Sequence, residues 1–215
     1  MIHTLSAAER SALRVGAAHV GADVDDDFER RVAVQLDLIG VWGARLRLTG
    51  ERDRGTLLRK HVVDSLALAP LLPLAGVVVD IGSGAGFPGL VVAGLRPDLD
   101  VVLVESRRRK ASFLGDVVRT IGLDRVRVRN ARAEDVAEEI PESSALVVSR
   151  AVRLEAFLPV AARVVAPDGR VVAMQTPKQR EIAAATGAVS GLGLESVREY
   201  RLLDGEPRTL FVYRR

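Results

Sequence analysis

Residues 77–90 are VVVDIGSGAGFPGL, an apolar run ending in Asp80 that passes into Gly82, Gly84 and Gly86 before Phe87 and Pro88-Gly89. Alternating glycines let backbone approach a bound group without interference from Cβ atoms and tolerate positive φ. A proline at this point suits the first turn of a following helix. The next apolar run, VVLVE, ends in Glu105, at roughly the 20-residue spacing at which an acid meets the ribose hydroxyls in nucleotide-binding α/β proteins. As Gly84-x-Gly86-x-x-Gly89 the loop has dinucleotide spacing, but that register starts late, and Asp80 opposes a pyrophosphate, which seeks neutral or positive surroundings. As Asp80-x-Gly82-x-Gly84-x-Gly86 it suits S-adenosyl-L-methionine, whose sulfonium and ammonium groups and lack of phosphate make a nearby carboxylate favourable. A loop that merely turned the chain would need one glycine, so the second register is preferred.

Other chemistry is narrowed by what is missing. The chain has no cysteine, which removes disulfides, thiolate metal sites and a cysteine nucleophile together. His3 and His19 have no partner in the pattern, and no metal is expected. His61 and Asp64 lie three apart on one helical face and form a possible polar pair, although capping or packing is the expected role. Trp42 falls on an apolar stripe and is expected in the core, not stacked on a base.

These residues must be positioned by regular elements. At 215 residues and 48% hydrophobic the chain suits one main domain with a small helical appendage. It has no run of about 20 apolar residues that would span a bilayer and no secretory leader pattern, so a cytoplasmic protein without membrane contact is expected. Ser6 and Glu9 have capping-box spacing ahead of Leu13, Ala17 and Val20. Phe28, Val32, Leu36, Ile39, Trp42 and Leu46 then recur at helical steps behind the acids Asp23, Asp25, Asp26 and Asp27. A third helix is predicted from about Thr56 through Leu58, Val62, Leu66 and Ala69, closed by Pro70 and Pro73.

From Val77 the pattern changes to short apolar runs, VVVDI, VVLVE, RVRV, ALVVS and RVVAM, separated by helical stretches at 88–95, 107–121, 154–165 and 178–186. That alternation predicts a parallel sheet covered on both faces. A final pair near 195–200 and 209–213, joined across an Asp-Gly turn signal, predicts a closing hairpin. The division expected is a helical extension, residues 1–75, followed by an α/β domain, residues 76–215.

The formal charge is only +3 despite a pI of about 9.8, and all but three of the 31 basic residues are arginine. Arginine's planar fork suits phosphate, which modestly favours a nucleic-acid partner. Two clusters stand out: Arg107, Arg108, Arg109 and Lys110 behind Glu105, and Arg45, Arg47, Arg52, Arg54, Arg59 and Lys60 in the helical region. If they flank one pocket mouth they form a phosphate track, with Arg47, Arg52, Arg54, Arg59, Lys60 and Arg108 the expected RNA contacts; each cluster is otherwise a solvated face.

DIGSGAGFPG, with Arg96-Pro97-Asp98, the strand end at Glu105, Arg132-Ala133-Glu134, Ser149-Arg150-Ala151, His61 to Leu66 and Arg45 to Gly50, resembles the small-subunit ribosomal RNA methyltransferases of the RsmG, or glucose-inhibited division protein B, family. The resemblance covers most of the chain. It implies a Rossmann-like class I methyltransferase fold and transfer of a methyl group from S-adenosyl-L-methionine to guanine N7 of 16S rRNA. It further implies that Gly82 and Phe87 line the cofactor site, that Gly84 and Gly86 shape its loop beside Asp80, and that Glu105 takes the ribose hydroxyls. Ala133 and Glu134 would face the adenine, and Arg150, counted with the cofactor-binding residues, would sit at the mouth near the methionine or the substrate. Two positions depart from the family pattern: Arg47, where Asn is frequent, and Gln175-Thr176, where Lys-Gly is common.

The chemistry is consistent with this. Methylation at a pyrimidine C5 needs a cysteine, and methylation of an exocyclic amine commonly uses an Asn/Asp-Pro-Pro-aromatic turn where this chain has Ser149-Arg150-Ala151-Val152. Guanine N7 has a free lone pair and no proton to lose, so orientation matters more than a general base, and no catalytic residue is expected. The expected partner is 16S rRNA or a precursor of the small ribosomal subunit, met by a monomer. The alternatives are a methyltransferase for another RNA or a small molecule, an NAD-dependent oxidoreductase, and a non-catalytic RNA-binding protein of the same fold.

Overall fold

The computed structural model describes residues 3–44, 46–140 and 142–215. The first helix, α1 (Ala7–His19), has the capping box: Glu9 N–H donates to Ser6 Oγ (3.2 Å) and Ser6 N–H donates to Glu9 Oε2 (2.8 Å). Helix α2 (Asp26–Gly43) is capped by the Asp25 carboxylate, which accepts from Phe28 N–H at 2.6 Å, and carries Asp26, Asp27 and Glu29 in its first turn. Those acids complement the positive end of the helix dipole. Phe28, Val32, Leu36 and Ile39 are buried as the spacing predicts, but the helix stops at Gly43, so Leu46 extends the apolar line from the loop beyond it.

The expected third helix is a composite. Helix α3 (Arg54–Leu57) runs through a π turn (Leu58–Val62) into α4 (Val63–Leu66), and a 3-10 turn follows at Ala69–Leu71. Asp53 caps the start by accepting from Thr56 N–H at 2.7 Å. Leu57, Leu58, Val62, Val63 and Leu66 are all buried, an apolar arc broader than a regular α stripe.

Seven strands form one sheet: β1 (Val77–Ile81), β2 (Asp100–Val104), β3 (Val126–Arg129), β4 (Ser144–Arg150), β5 (Val165–Gln175), β6 (Gly193–Arg201) and β7 (Pro207–Arg214), in the order β3-β2-β1-β4-β5-β7-β6. Neighbours from β3 to β5 are parallel, and β7 runs antiparallel to both β5 and β6. Helices α5 (Gly89–Leu95), α6 (Arg108–Ile121), α8 (Leu154–Val164) and α9 (Arg180–Val189) stand where the pattern places them, and α7 (Ala133–Glu139) between β3 and β4 is an addition to it.

Alternate strand residues face opposite sides, and both sides are apolar. Val78, Leu103, Leu146, Val172 and Leu210 share a core with α1, α2, α4, α5 and α6. Val79, Val147, Val171, Phe211 and Tyr213 share another with α7, α8 and α9. The helical region before β1 therefore packs into the same core as α5 and α6. Strand order reverses between β1 and β4, which opens a crevice at the carboxyl ends of the strands, where ligands of open α/β sheets bind. Among the described residues no helix is long and apolar enough to cross a membrane, and no group of three acidic or histidine side chains has the arrangement of a metal site.

Candidate active site at the carboxyl end of the sheet

The loop from β1 to α5 lies in that crevice. Gly82, Gly84 and Gly86 have φ of 79°, 57° and 87°, a region that penalises any side chain. Gly86 is also sterically obligatory, since a Cβ there would lie 2.2 Å from Leu90 Cδ1 and 3.0 Å from Gln35 Nε2. The loop is held from two directions. The N–H groups of Gly82 and Ser83 both donate to the Val104 carbonyl at the end of β2, at 2.9 and 3.0 Å. From α2, buried Gln35 donates its Nε2–H to the Ala85 carbonyl at 3.0 Å. The sequence reading missed Gln35; its one signal was an amide inside the otherwise apolar stretch Val32–Leu36.

The two acids of the loop motif have different positions. Asp80 does not line an open wall. It is fully buried under the loop, where its Oδ2 accepts from Gly89 N–H at 3.0 Å and Oδ1 has no hydrogen-bond partner. Burial raises its pKa to about 6, against the lowering effect of the nearby Ser83 hydroxyl and the Gly89 N–H. Glu105 sits at the loop itself. Its Oε2 accepts from Gly84 N–H at 3.0 Å and its Oε1 from Arg107 N–H at 2.8 Å. Asn130 Nδ2 donates to the carbonyls of Glu105 and Ser106, at 2.9 and 3.0 Å, tying the end of β2 to the segment after β3. That segment leads into α7, whose first residues are half-buried Ala133 and exposed Glu134.

Phe87 closes the loop and is buried. Its ring stacks on His61 with centroids 5.2 Å apart, and the Arg150 guanidinium lies 5.2 Å from its centroid. His61 and Arg150 line a cavity of about 360 Å³ together with Lys60, Asp64, Glu206 and Arg208. His61 has neither ring nitrogen paired, and burial, reinforced by Arg150, Arg208 and Lys60, lowers its pKa to about 3. It does not pair with Asp64 as its spacing suggested. Asp64 instead meets Arg150 Nη1 at 3.2 Å, Tyr200 OH at 2.5 Å and Arg208 Nε at 3.6 Å. Burial and the Asp64 charge push the Tyr200 hydroxyl up, so it stays protonated and donates. Arg150 ends β4, just before Ala151, which adopts φ 62°; the Val152 carbonyl then accepts from Gln175 Nε2 at 2.8 Å.

The structure divides the expected RNA contacts. Arg47, Arg52, Arg59 and Arg108 are exposed. Arg45 lies outside the described residues. Lys60 is half-buried, 3.4 Å from Glu206 and 3.8 Å from Asp204. Arg54 is an internal tie and not a free cation: it pairs with Glu9 at 2.7 Å and with Asp37, and donates to the Thr4 carbonyl at 2.9 Å. Trp42 packs edge-on to Phe113 and donates to Asp116 at 3.0 Å, in keeping with a core role.

Comparison with known proteins bears on the fold and the family. The archaeal TYW2 from M. jannaschii, solved in complex with AdoMet, superposes with a TM-score of 0.61 at 15% identity over 80% of this chain and 78% of that one, a likeness of fold. The ribosomal RNA small subunit methyltransferase G of Clavibacter sepedonicus is 42% identical over 179 residues, 82% of each chain. That of Myxococcus xanthus (strain DK1622) is 35% identical over 94% of each. The GidB family model, rRNA small subunit methyltransferase G, matches residues 30–205, and the chain belongs to that family of S-adenosylmethionine-dependent methyltransferases.

Proposed function

We propose that this chain transfers a methyl group from S-adenosyl-L-methionine to N7 of a guanine in 16S rRNA of the small ribosomal subunit. The observation that carries the proposal is the Glu105 carboxylate hydrogen-bonded to the Gly84 amide. The carboxylate accepts hydroxyl donors, its two observed bonds leave lone-pair directions for a ribose diol, and its bond from Gly84 N–H occupies an amide that a pyrophosphate would use. The side-chain-free backbone at Gly82 and Gly84 adds a cradle of the right kind. The sheet also departs from the dinucleotide-binding order 3-2-1-4-5-6, because antiparallel β7 is inserted between β5 and β6.

In this reading Glu105 orients the ribose, the loop from Gly82 to Phe87 lies along the methionine part, and Ala133 and Glu134 border the adenine. When bound, the cofactor supplies an electrophilic methyl group. The chain's contribution is placement and exclusion of water. No side chain needs to remove a proton, since N7 has none to lose, and His61 with its pKa near 3 and Asp64 engaged by two arginines fit that economy. Exposed Arg47, Arg52, Arg59 and Arg108 are the candidate phosphate contacts.

The direct test is mass spectrometry of 16S rRNA from cells with and without this protein, together with methyl transfer to purified small subunits. One N7-methylguanosine that depends on the protein is expected. Its absence in both assays refutes the assignment, and NAD binding in place of S-adenosylhomocysteine binding by calorimetry refutes the cofactor. The single-turnover rate is expected to be flat from pH 6.5 to 8; a rate tracking one side-chain pKa in that range would count against catalysis by placement.

A further inference from the structure

A groove of about 580 Å³ lies between the end of α2 and the first turn of α6, lined by Val41, Trp42, Ala44, Leu46 and Arg109. Single exposed aliphatic side chains are ordinary on a protein surface, but here Val41, 62% exposed, joins half-buried Trp42 and Leu46 in one continuous lining. The indole is anchored from the core: it packs edge-on to Phe113 with ring centroids 6.0 Å apart, and its Nε1–H donates to Asp116 at 3.0 Å. Asp116 is itself paired with Arg119 at 2.6 Å, so it brings no unmatched negative charge. The rim is cationic. Arg107, Arg108 and Arg109 are exposed, and the ion pairs on either side of them in the chain, Arg96 with Asp98 and Arg119 with Asp116, leave all three without a carboxylate partner among the described residues. A smaller cavity adjoins the groove through shared Ala44 and Leu46 and adds exposed Arg47 and Arg52 against one acid, Glu51. Next to Arg109, Lys110 Nζ lies 4.0 Å from the place of a Cβ on Gly84, so the first turn of α6 carries these cations alongside the glycine loop.

We propose that this groove takes an unpaired base of the acceptor RNA, one that flanks the target guanine, with Arg109 on the adjoining phosphate. The identity of the strand rests on the rRNA methyltransferase reading. In A-form RNA guanine N7 faces a deep, narrow major groove that side chains cannot read, so the enzyme must meet its guanine in an unpaired stretch. Such a stretch arrives with neighbouring bases unstacked, each an apolar face beside a phosphate. An apolar floor holding an aromatic ring, with unmatched guanidinium groups at its edge, complements that combination as single-strand binding surfaces do. The indole is already fixed by Phe113 and Asp116, so a base that packs there orders little that was free. A protein segment would use the apolar floor but leave the surrounding arginines unmatched.

The test uses the full chain, whose sole tryptophan is Trp42, so its fluorescence reports the groove directly. Saturating 16S rRNA is expected to quench the emission, and so is an oligouridylate of about eight nucleotides, within the usual span of a single-strand site. An abasic ribose-phosphate strand of the same length is expected to bind without quenching. Val41→Ser, at an exposed position, is expected to weaken affinity for 16S rRNA by filter retention about fivefold with the salt slope unchanged. Arg109→Ala is expected to lower that slope by about 0.7, the loss of one phosphate contact on a single strand. S-adenosylhomocysteine affinity by calorimetry is expected to be unchanged in both. Unmoved Trp42 emission at saturating 16S rRNA overturns the proposal, as does equal quenching by the abasic strand, which leaves a phosphate contact only. Wild-type rRNA affinity in Val41→Ser overturns it too, and if binding to assembled small subunits falls in that variant while naked rRNA still binds, the groove belongs to a protein partner. A parallel loss of S-adenosylhomocysteine affinity in Val41→Ser marks general damage and also overturns it. Base-dependent quenching in a chain that methylates no rRNA refutes the reaction and not the groove. Methyl transfer with unmoved Trp42 emission does the reverse.

Discussion

Gly86 shows how little freedom the loop allows. Its φ of 87° and the 2.2 Å approach of Leu90 to a notional Cβ combine left-handed strain with overpacking. Gly86→Ala is therefore expected to cost about 2–4 kcal/mol and to abolish measurable S-adenosylhomocysteine binding, by urea unfolding and calorimetry respectively. Asp80 and His61 give a pH signature. His61, with a pKa near 3 against an ordinary 6.5, stays neutral where the unfolded chain gains a proton, so its contribution is full above pH 6.5 and is lost as pH falls toward 3. Asp80, near 6 against 3.8, keeps a proton that the unfolded chain gives up, so its contribution is full below 3.8 and is lost as pH rises through 6. Between roughly pH 4 and 6 the two slopes oppose, each about 1.4 kcal/mol per pH unit. Asp80→Asn should leave the His61 slope uncompensated, so stability of the variant should climb more steeply with pH than that of the wild type between pH 4.5 and 5.5; parallel curves would show Asp80 already ionised. Of these residues the positive φ of the loop glycines and the place of Glu105 at the end of β2 were legible, because both are set by local spacing. Asp64 was not, since Arg150 and Tyr200 are 86 and 136 positions away along the chain. Arg54 was misleading, because its charge is visible in sequence and its internal partners are not.

Among the elements, α2 reaches the site through one amide. Gln35→Ala leaves the buried Ala85 carbonyl without its partner, expected to cost about 1–3 kcal/mol and to weaken S-adenosylhomocysteine binding. Ser6→Ala, which breaks the α1 capping box far from the loop, should cost about 1 kcal/mol with no change in that affinity. All seven strands were legible from their apolar runs or turn signal, as were the longer helices, because burial on both sheet faces demands nearly continuous β-branched segments. Helix α7 was not: AEDVAEE buries only Val136 and Ala137, too little for a period to register. The π turn at Leu58–Val62 was equally hidden, since apolar residues at steps of four fit an uninterrupted helix as well.

For the whole molecule, electrostatics and connectivity matter most. Arg47→Glu with Arg52→Glu is expected to weaken rRNA binding and to lower the salt slope by about 0.7–0.9 for each phosphate no longer neutralised, as read by filter retention across a salt series. Arg54→Ala should instead lower the unfolding midpoint and leave that slope unchanged, since its partners are Glu9, Asp37 and Thr4. The placement of β7 has a larger consequence. Leu210 to Tyr213 are buried, and among the described residues β7 is the one strand that pairs with β6. A chain stopped before Pro207 would retain every described helix and six strands, yet β6 would be orphaned and β5 would present a bare, greasy flank to other molecules. Such a short product is destined for clumping or degradation, even though every residue of the glycine loop would still be present.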